Sequence, residues 1–312
     1  MVNYQTIINN FLIAYTNNDS EGMQKLLSSD VSINYSNLGS AKGIEAVLRA
    51  LCFEENFDVF TVNTTGIMTY TLNDKFVEAL TVHHMVADEK FNTLYPLVFG
   101  GKYVFIIDRL SNKIEEISFV LEYQAENTSY MINKWNFSTG KNNYKGLNKF
   151  SLKSYLNSLR FEMHLDNKAK DYSKILFWCL DTGEVDILRE IVTKDFLIQR
   201  DKSVGEEIFS GAPDSLDQYI SETRAYFDLD QNSIALKEVH LIDSGLIVEG
   251  QHLTSHRLGT KKLNSLTKYH TFFDEDVSIE LTKTNDCDLR IRKVQMKKAA
   301  DVHYNRVSII NY

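Results

Sequence analysis

Apolar positions recur at helical spacing from the start of the chain. Tyr4, Ile7, Ile8, Phe11, Leu12 and Tyr15 follow the i, i+3, i+4, i+7 rule and predict an amphipathic helix. Asn18 and Glu21 stand at capping-box spacing, so a second helix is expected, with Met23, Leu26 and Leu27 inward. Ser29-Asp30 ends it, Val31 to Tyr35 reads as a strand, and Gly43 opens a third helix carrying Ile44, Val47, Leu48 and Leu51 on one side. Extended runs follow. Leu72-Asn73-Asp74-Lys75 is a turn between two of them, and Ile114 to Tyr123 is the last.

The same order returns from residue 172. Tyr172, Ile175, Leu176 and Cys179 mark a helix, and Asp181 and Glu184 repeat the capping-box spacing. Leu188, Ile191 and Val192 stand 165 positions after Met23, Leu26 and Leu27. Lys194-Asp195 ends this helix, Phe196 to Arg200 is the short strand, and Gly211 opens a third helix with Leu216, Tyr219 and Ile220. Asp243-Ser244-Gly245 matches the first turn. After the turns come Val77-Glu78 and Val248-Glu249, at offset 171. Lys102-Tyr103 and Asp108 match Lys268-Tyr269 and Asp274, and Leu289 to Met296 is the closing strand. Between the copies, Ser138 to Lys149 has the Gly, Asn and Lys content of a linker, and Ser151 to Met163 reads as an extra helix. The only prolines, Pro96 and Pro213, fall outside strand centres.

Composition sets the class. With 312 residues, 43% hydrophobic and 24% charged, the chain suits two globular cores and no disordered protein. No apolar run approaches the ~20 residues of a membrane span, and no signal-like segment opens the chain. Through residue 150 there are 12 basic and 16 acidic side chains, and 22 and 26 follow, so each half carries −4. Neither half is a phosphate-binding surface, so nucleic acid is not expected as a partner. Cys52, Cys179 and Cys287 are odd in number and widely spaced, which argues for core thiols and a cytoplasmic location.

Short helix, Asp-led strand, Gly-led helix and long strands recur in Ser29-Asp30-Val31, Gly43-Ile44-Glu45, Gly101-Lys102-Tyr103 and Asp108, then in Lys194-Asp195-Phe196, Gly211 and Lys268-Tyr269. This order resembles the SnoaL-like branch of the nuclear transport factor 2 fold, over about nine tenths of the chain. Neither closing turn, Asn112-Lys113 or Asp286-Cys287, carries the family's tryptophan. The resemblance implies an α+β chain with two cone folds in tandem, each with three helices packed on a curved antiparallel sheet. The domains expected are 1–140 and 164–312, with 141–163 as linker and extra helix. It also implies a pocket between helices and sheet, and an intrachain pseudo-dimer through the outer sheet faces. Such proteins include cyclases, dehydratases, isomerases and non-catalytic binding modules, and the fold does not choose among them.

Candidate chemistry lies on the strands. Alternation puts Val77, Ala79, Thr81, His83 and Met85 on one face, and the 171 offset makes it equivalent to the face of Val248, Gly250, His252, Thr254 and His256. His83, His252 and His256 are therefore pocket candidates for proton transfer near neutral pH, beside the duller role of hydrogen-bonded wall residues. Tyr35, Tyr103 and Tyr123 join them in the first copy, and Arg200, Tyr269 and His240 in the second. Arg200 stands where Tyr35 stands, so the two pockets should differ in charge. His252 and His256 have an H-x-x-x-H look, but on a strand they sit ~13 Å apart, too far for one metal ion. Neither G-x-G-x-x-G, G-x-x-x-x-G-K nor G-x-S-x-G occurs. The expectation is a small, mostly apolar ligand and cofactor-free chemistry, or else a protein-binding module using exposed sheet faces.

Overall fold

The computed structural model describes residues 4–35, 39–52, 58–62, 68–87, 97–124, 150–162, 164–200, 208–210, 227–258, 268–284, 288–298 and 306–309. The chain divides into two compact units, the first ending at Ser151 and the second beginning at Leu152. The first unit runs α1 (Tyr4–Thr16), α2 (Ser20–Leu26), β1 (Leu27–Tyr35), β2 (Gly39–Lys42), α3 (Ile44–Leu51), β3 (Asp58–Val62), β4 (Met68–Leu72), β5 (Lys75–Ala87), β6 (Leu97–Asp108) and β7 (Ile114–Gln124). The second runs α4 (Leu152–Leu159), α5 (Leu165–Thr182), α6 (Val185–Ile191), β8 (Val192–Arg200), β9 (Ile208–Ser210), β10 (Phe227–Ile242), β11 (Gly245–Leu258), β12 (Lys268–Lys283), β13 (Leu289–Lys298) and β14 (Arg306–Ile309).

The two sheets have one topology. The first is ordered β2-β1-β7-β6-β5-β3, with β4 also on β5; the second is β9-β8-β13-β12-β11-β10, with β14 also on β12. Neighbours are antiparallel except β1 with β7 and β8 with β13, which are parallel, so each sheet is mixed. The expected α+β class, helices on a sheet in two successive copies, is the architecture found. The expected third helix at Gly211 and the linker at Ser138 to Lys149 lie outside the described residues.

Local chemistry explains the element ends. Asp19, not Asn18, caps α2: its carboxylate accepts from the Gly22 N–H at 2.8 Å, while Asn18 takes the left-handed turn at φ 51°. Asp181 lies inside α5, which ends at Gly183 in the left-handed conformation (φ 74°) that glycine adopts without a Cβ penalty. Glu184 is the first flanking residue of α6 and makes no side-chain cap. Both short helices stop earlier than expected. Leu27 and Val192 pair with Ile114 and Ile291, so the parallel partner strand claims the segments holding Ser29-Asp30 and Lys194-Asp195.

The hairpins fix which side chains face the helices. Leu72 pairs with Lys75 and Ile242 with Gly245, each across a two-residue loop. The copies therefore correspond at offset 170 here, not 171. A one-residue slip exchanges sheet faces, so the Val-Glu dipeptides are not equivalent. In β5, Phe76, Leu80 and Val82 belong to the helix-facing core, together with Ile8, Phe11 and Tyr15 of α1. In β11, Leu246, Val248 and His252 are the buried alternation, and Ile247, Glu249 and Gln251 are not buried. Val82 thus corresponds to His252, and position 83 belongs to the opposite alternation. The expectation of three histidines on one equivalent face is overturned by this register.

Candidate functional site

In the second unit α5 lays Tyr172, Ile175, Leu176 and Cys179 inward. Beneath it, β11 and β12 pair His252 with Glu275. Both side chains are fully buried, and His252 Nδ1 lies 3.1 Å from Glu275 Oε2. The Phe177 ring of α5 packs on the imidazole, with centroids 4.6 Å apart. Burying an acid and an imidazole costs several kcal/mol unless they satisfy each other, and the cross-strand register supplies that pairing. When Glu275 is ionised and accepts the proton of Nδ1, the imidazole is held in the tautomer whose acceptor nitrogen is Nε2.

His252 was legible as a candidate; Glu275 was not. Its neighbour Asp274, matched in the sequence to Asp108, lies in mid-strand: β12 runs from Lys268 to Lys283 and Asp274 pairs with Leu253. The signal for Glu275 is its even spacing from Val277, Ile279 and Leu281, the buried alternation of β12.

The other candidates scatter. His256 shares the alternation of His252, four residues on, and pairs with Thr271. Tyr269 lies six residues from Glu275 along β12, about 20 Å at ~3.3 Å per residue, so it does not join the pair. Nor does it correspond to Tyr103: Tyr103 pairs with Leu80, and the matching pair in the second unit is Val277 with Gly250. Arg200 pairs with Met296 as Tyr35 pairs with Phe119, each the last residue of its strand. His240 lies outside this site. A bulge between Leu236 and Glu238 shifts the alternation of β10, and His240 Nε2 sits 3.4 Å from both Glu238 and Glu249, half-exposed. Among the described residues no group of three His, Cys, Asp or Glu side chains converges as a metal site would.

The first unit differs at each of these positions. His252 and Glu275 correspond to Val82 and Gly101, which pair across β5 and β6. A Cβ at Gly101 would stand 2.0 Å from the Val120 carbonyl oxygen, beside a bulge, so no side chain fits there. The helix-facing side is aromatic: Tyr103 stacks near Phe105 and Phe119 at 5.6 and 4.3 Å, and Phe11 meets Phe105 edge-on at 5.6 Å. Tyr35, Phe119, Tyr103 and Leu80 occupy one row across four strands. Positions 83 and 123 flank Gly100 in another row, so the expected grouping of His83 with Tyr103 is not formed. Asp108 takes a turn role, accepting from the Ser111 N–H at 2.8 Å and from Lys75 at 2.9 Å.

The chain is similar to several solved structures. One is a nuclear transport factor 2-like superfamily protein from Salmonella enterica serovar Typhimurium, at 10% identity over 47% of this chain and 96% of that one, TM-score 0.35. Another is a ketosteroid isomerase-like protein from Erwinia carotovora atroseptica, at 11% identity over 42% and 94%, TM-score 0.32. A third is a hexachlorocyclohexane dehydrochlorinase, at 13% identity over 38% and 83%, TM-score 0.32. No protein-family model and no curated protein matches the chain.

Proposed function

We propose that the second unit binds a small, mostly apolar molecule against α5 and moves a proton on it without a cofactor, as in isomerisation, dehydration or cyclisation. The observation that supports this is the fully buried His252–Glu275 pair on the helix-facing side of the sheet. In this reading Glu275 accepts the Nδ1 proton, Nε2 takes a proton from a carbon next to a carbonyl, and the imidazolium returns it elsewhere on the same molecule. His256, Arg200 and Tyr269 are further pocket candidates in this unit. The other pocket candidates, His83, Tyr35, Tyr103 and Tyr123, belong to the first unit.

The first unit is proposed as a non-catalytic partner, because Val82 and Gly101 replace the pair. The intrachain pseudo-dimer, the domain limits and the cytoplasmic location belong to the same proposal. No helix among the described residues is long and apolar enough to cross a membrane.

The test is proton exchange. The full chain is incubated with a panel of apolar ketones in deuterium oxide, and incorporation is read by NMR. Wild type should exchange above background, and His252→Gln and Glu275→Gln should each lower the rate ~10²-fold or more. Exchange that survives His252→Gln in a folded protein sinks the reading.

A further inference from the structure

The first unit holds an acid of its own, one row from the aromatic cluster. Glu78 is fully buried, and neither carboxyl oxygen makes a well-formed hydrogen bond among the described residues, the Thr69 hydroxyl being the one donor near enough to act on it. It shares the strand alternation of Phe76, Leu80 and Val82, whose side chains pack on the helix-facing core. Its cross-strand neighbours are Thr69 on β4 and Phe105 on β6. Its counterpart at offset 170 is Val248, so the second unit puts an apolar side chain where the first keeps an acid.

A buried carboxyl without donors is among the costliest groups a core can hold. Two bare oxygens call for donors, and an ionised carboxylate offers only acceptors. A carbonyl ligand could satisfy at most a protonated oxygen. An ammonium brings three N–H donors and a charge, and neighbouring aromatic rings suit a cation. We propose that Glu78 anchors a binding site in the first unit for a small primary amine with an apolar body. This site is separate from the His252–Glu275 pair and does not depend on it.

The electrostatics support the assignment. Burial pushes the Glu78 carboxyl up to about 7, Thr69 offsets this only in part, and no charged side chain contributes. The other ionisable side chains of this core, Tyr4, Tyr15, Tyr103 and Cys52, are phenols and a thiol, none of which can carry a positive charge. Among the described residues the charged group over this side is Arg109, whose guanidinium lies 5.4 Å from the Phe76 ring and does not act on the carboxyl, so the ionised population of Glu78 rises through neutrality without a paired cation.

The probe is 2-phenylethylamine, titrated calorimetrically into the full chain at pH 8 and pH 6, with 2-phenylethanol as the uncharged control. Binding at pH 8 should weaken about tenfold at pH 6, as the carboxylate protonates. The alcohol should bind at least tenfold more weakly. Glu78→Gln, which keeps the shape, should abolish the pH dependence and lower affinity by roughly tenfold or more. No amine binding at pH 8, equal binding of amine and alcohol, or unchanged affinity in folded Glu78→Gln would each overturn the proposal. The pH and alcohol arms use wild type, so they decide the question even if the variant fails to fold.

Discussion

Two sheets of one topology differ most in what lies behind them. In the first unit the side facing away from α1 is buried as well. Val77, Ala79, Val104 and Val120 are all at 2% exposure or less, and Met68 and Tyr70 are buried beside them. The chain leaving the first unit is fastened on this side: the Ser151 N–H donates to Tyr70 Oη at 3.1 Å, and the Phe150 and Tyr70 rings lie 5.7 Å apart. In the second unit the same side carries Glu249, Gln251, Asp276, Arg292 and Lys297, all exposed. A sheet buried on both faces reads as a near-continuous apolar run, and one buried on a single face alternates. Tyr103-Val104-Phe105-Ile106-Ile107 is the first kind, and Arg290-Ile291-Arg292-Lys293-Val294 the second. One topology thus serves two surroundings: the one-faced sheet buries the His252–Glu275 pair, and the two-faced sheet buries Glu78 toward the helices and Lys102, 3.3 Å from Thr81, on the other side.

The sharpest way to break this contrast is a charge on the outer side of each sheet. Val104 and Ser278 occupy corresponding positions of β6 and β12. Val104→Asp should cost the first unit ~4 kcal/mol or more, because the carboxylate loses its water on a dry face whose buried cation, Lys102, is already bonded to Thr81. Ser278→Asp should stay within ~0.5 kcal/mol. Hydrogen exchange resolved by mass spectrometry reads each unit separately. Equal costs would mean the two outer faces are not different environments.

Next comes the paired site. Glu275→Leu should destabilise the second unit by ~3–5 kcal/mol, since it removes the carboxyl partner of a fully buried imidazole. His252→Leu combined with Glu275→Leu should cost less than Glu275→Leu alone, in urea unfolding followed by Trp178 fluorescence. A double variant worse than the single would argue that the pair is not a mutual compensation.

The lone acid should give the first unit an inverted pH response. Glu78 is protonated in the fold up to about pH 7, against a reference value of 4.5. The folded state thus binds more protons than the unfolded one across that window, and stability falls as pH rises from 4.5 to 7, by roughly 3 kcal/mol. Glu78→Gln should flatten that slope. A first unit whose stability rises with pH through this window would contradict it.

The smallest effect concerns Asp288, which ties α5 to the β12–β13 loop. It accepts from Lys168 Nζ at 2.7 Å, from the Tyr172 hydroxyl at 3.0 Å and from the Leu289 N–H at 2.8 Å. Burial opposes its ionisation, but the Lys168 bond and these donors outweigh it and hold the carboxyl below its usual value. The contribution is present above the unfolded value and lost as pH falls through the folded one. Asp288→Asn should remove that acid sensitivity of the second unit, at a cost near 1 kcal/mol at pH 7. Thermal unfolding between pH 2 and pH 5 checks it.

The sequence by itself determined the helix-then-strand order of each copy and the helices of the first, because periodicity is local. The i, i+3, i+4 stripe from Tyr4 to Tyr15 and the turn at Asn73-Asp74 can be read within a few residues. It also carried the two-copy repeat and half of the buried pair, His252. It did not determine the register between copies. The shared Val-Glu dipeptide suggested offset 171, and only the pairing of Leu72 with Lys75 and Ile242 with Gly245 set it at 170. One residue is the whole difference between two faces of a sheet, so that slip put His83 beside His252 and left Glu275 out. A cross-strand pair such as His252 and Glu275 joins residues 23 positions apart, and nothing local in either segment names the other. Burial works the same way: Glu78 looks like an ordinary strand glutamate until packing on both sides of its sheet takes the water away.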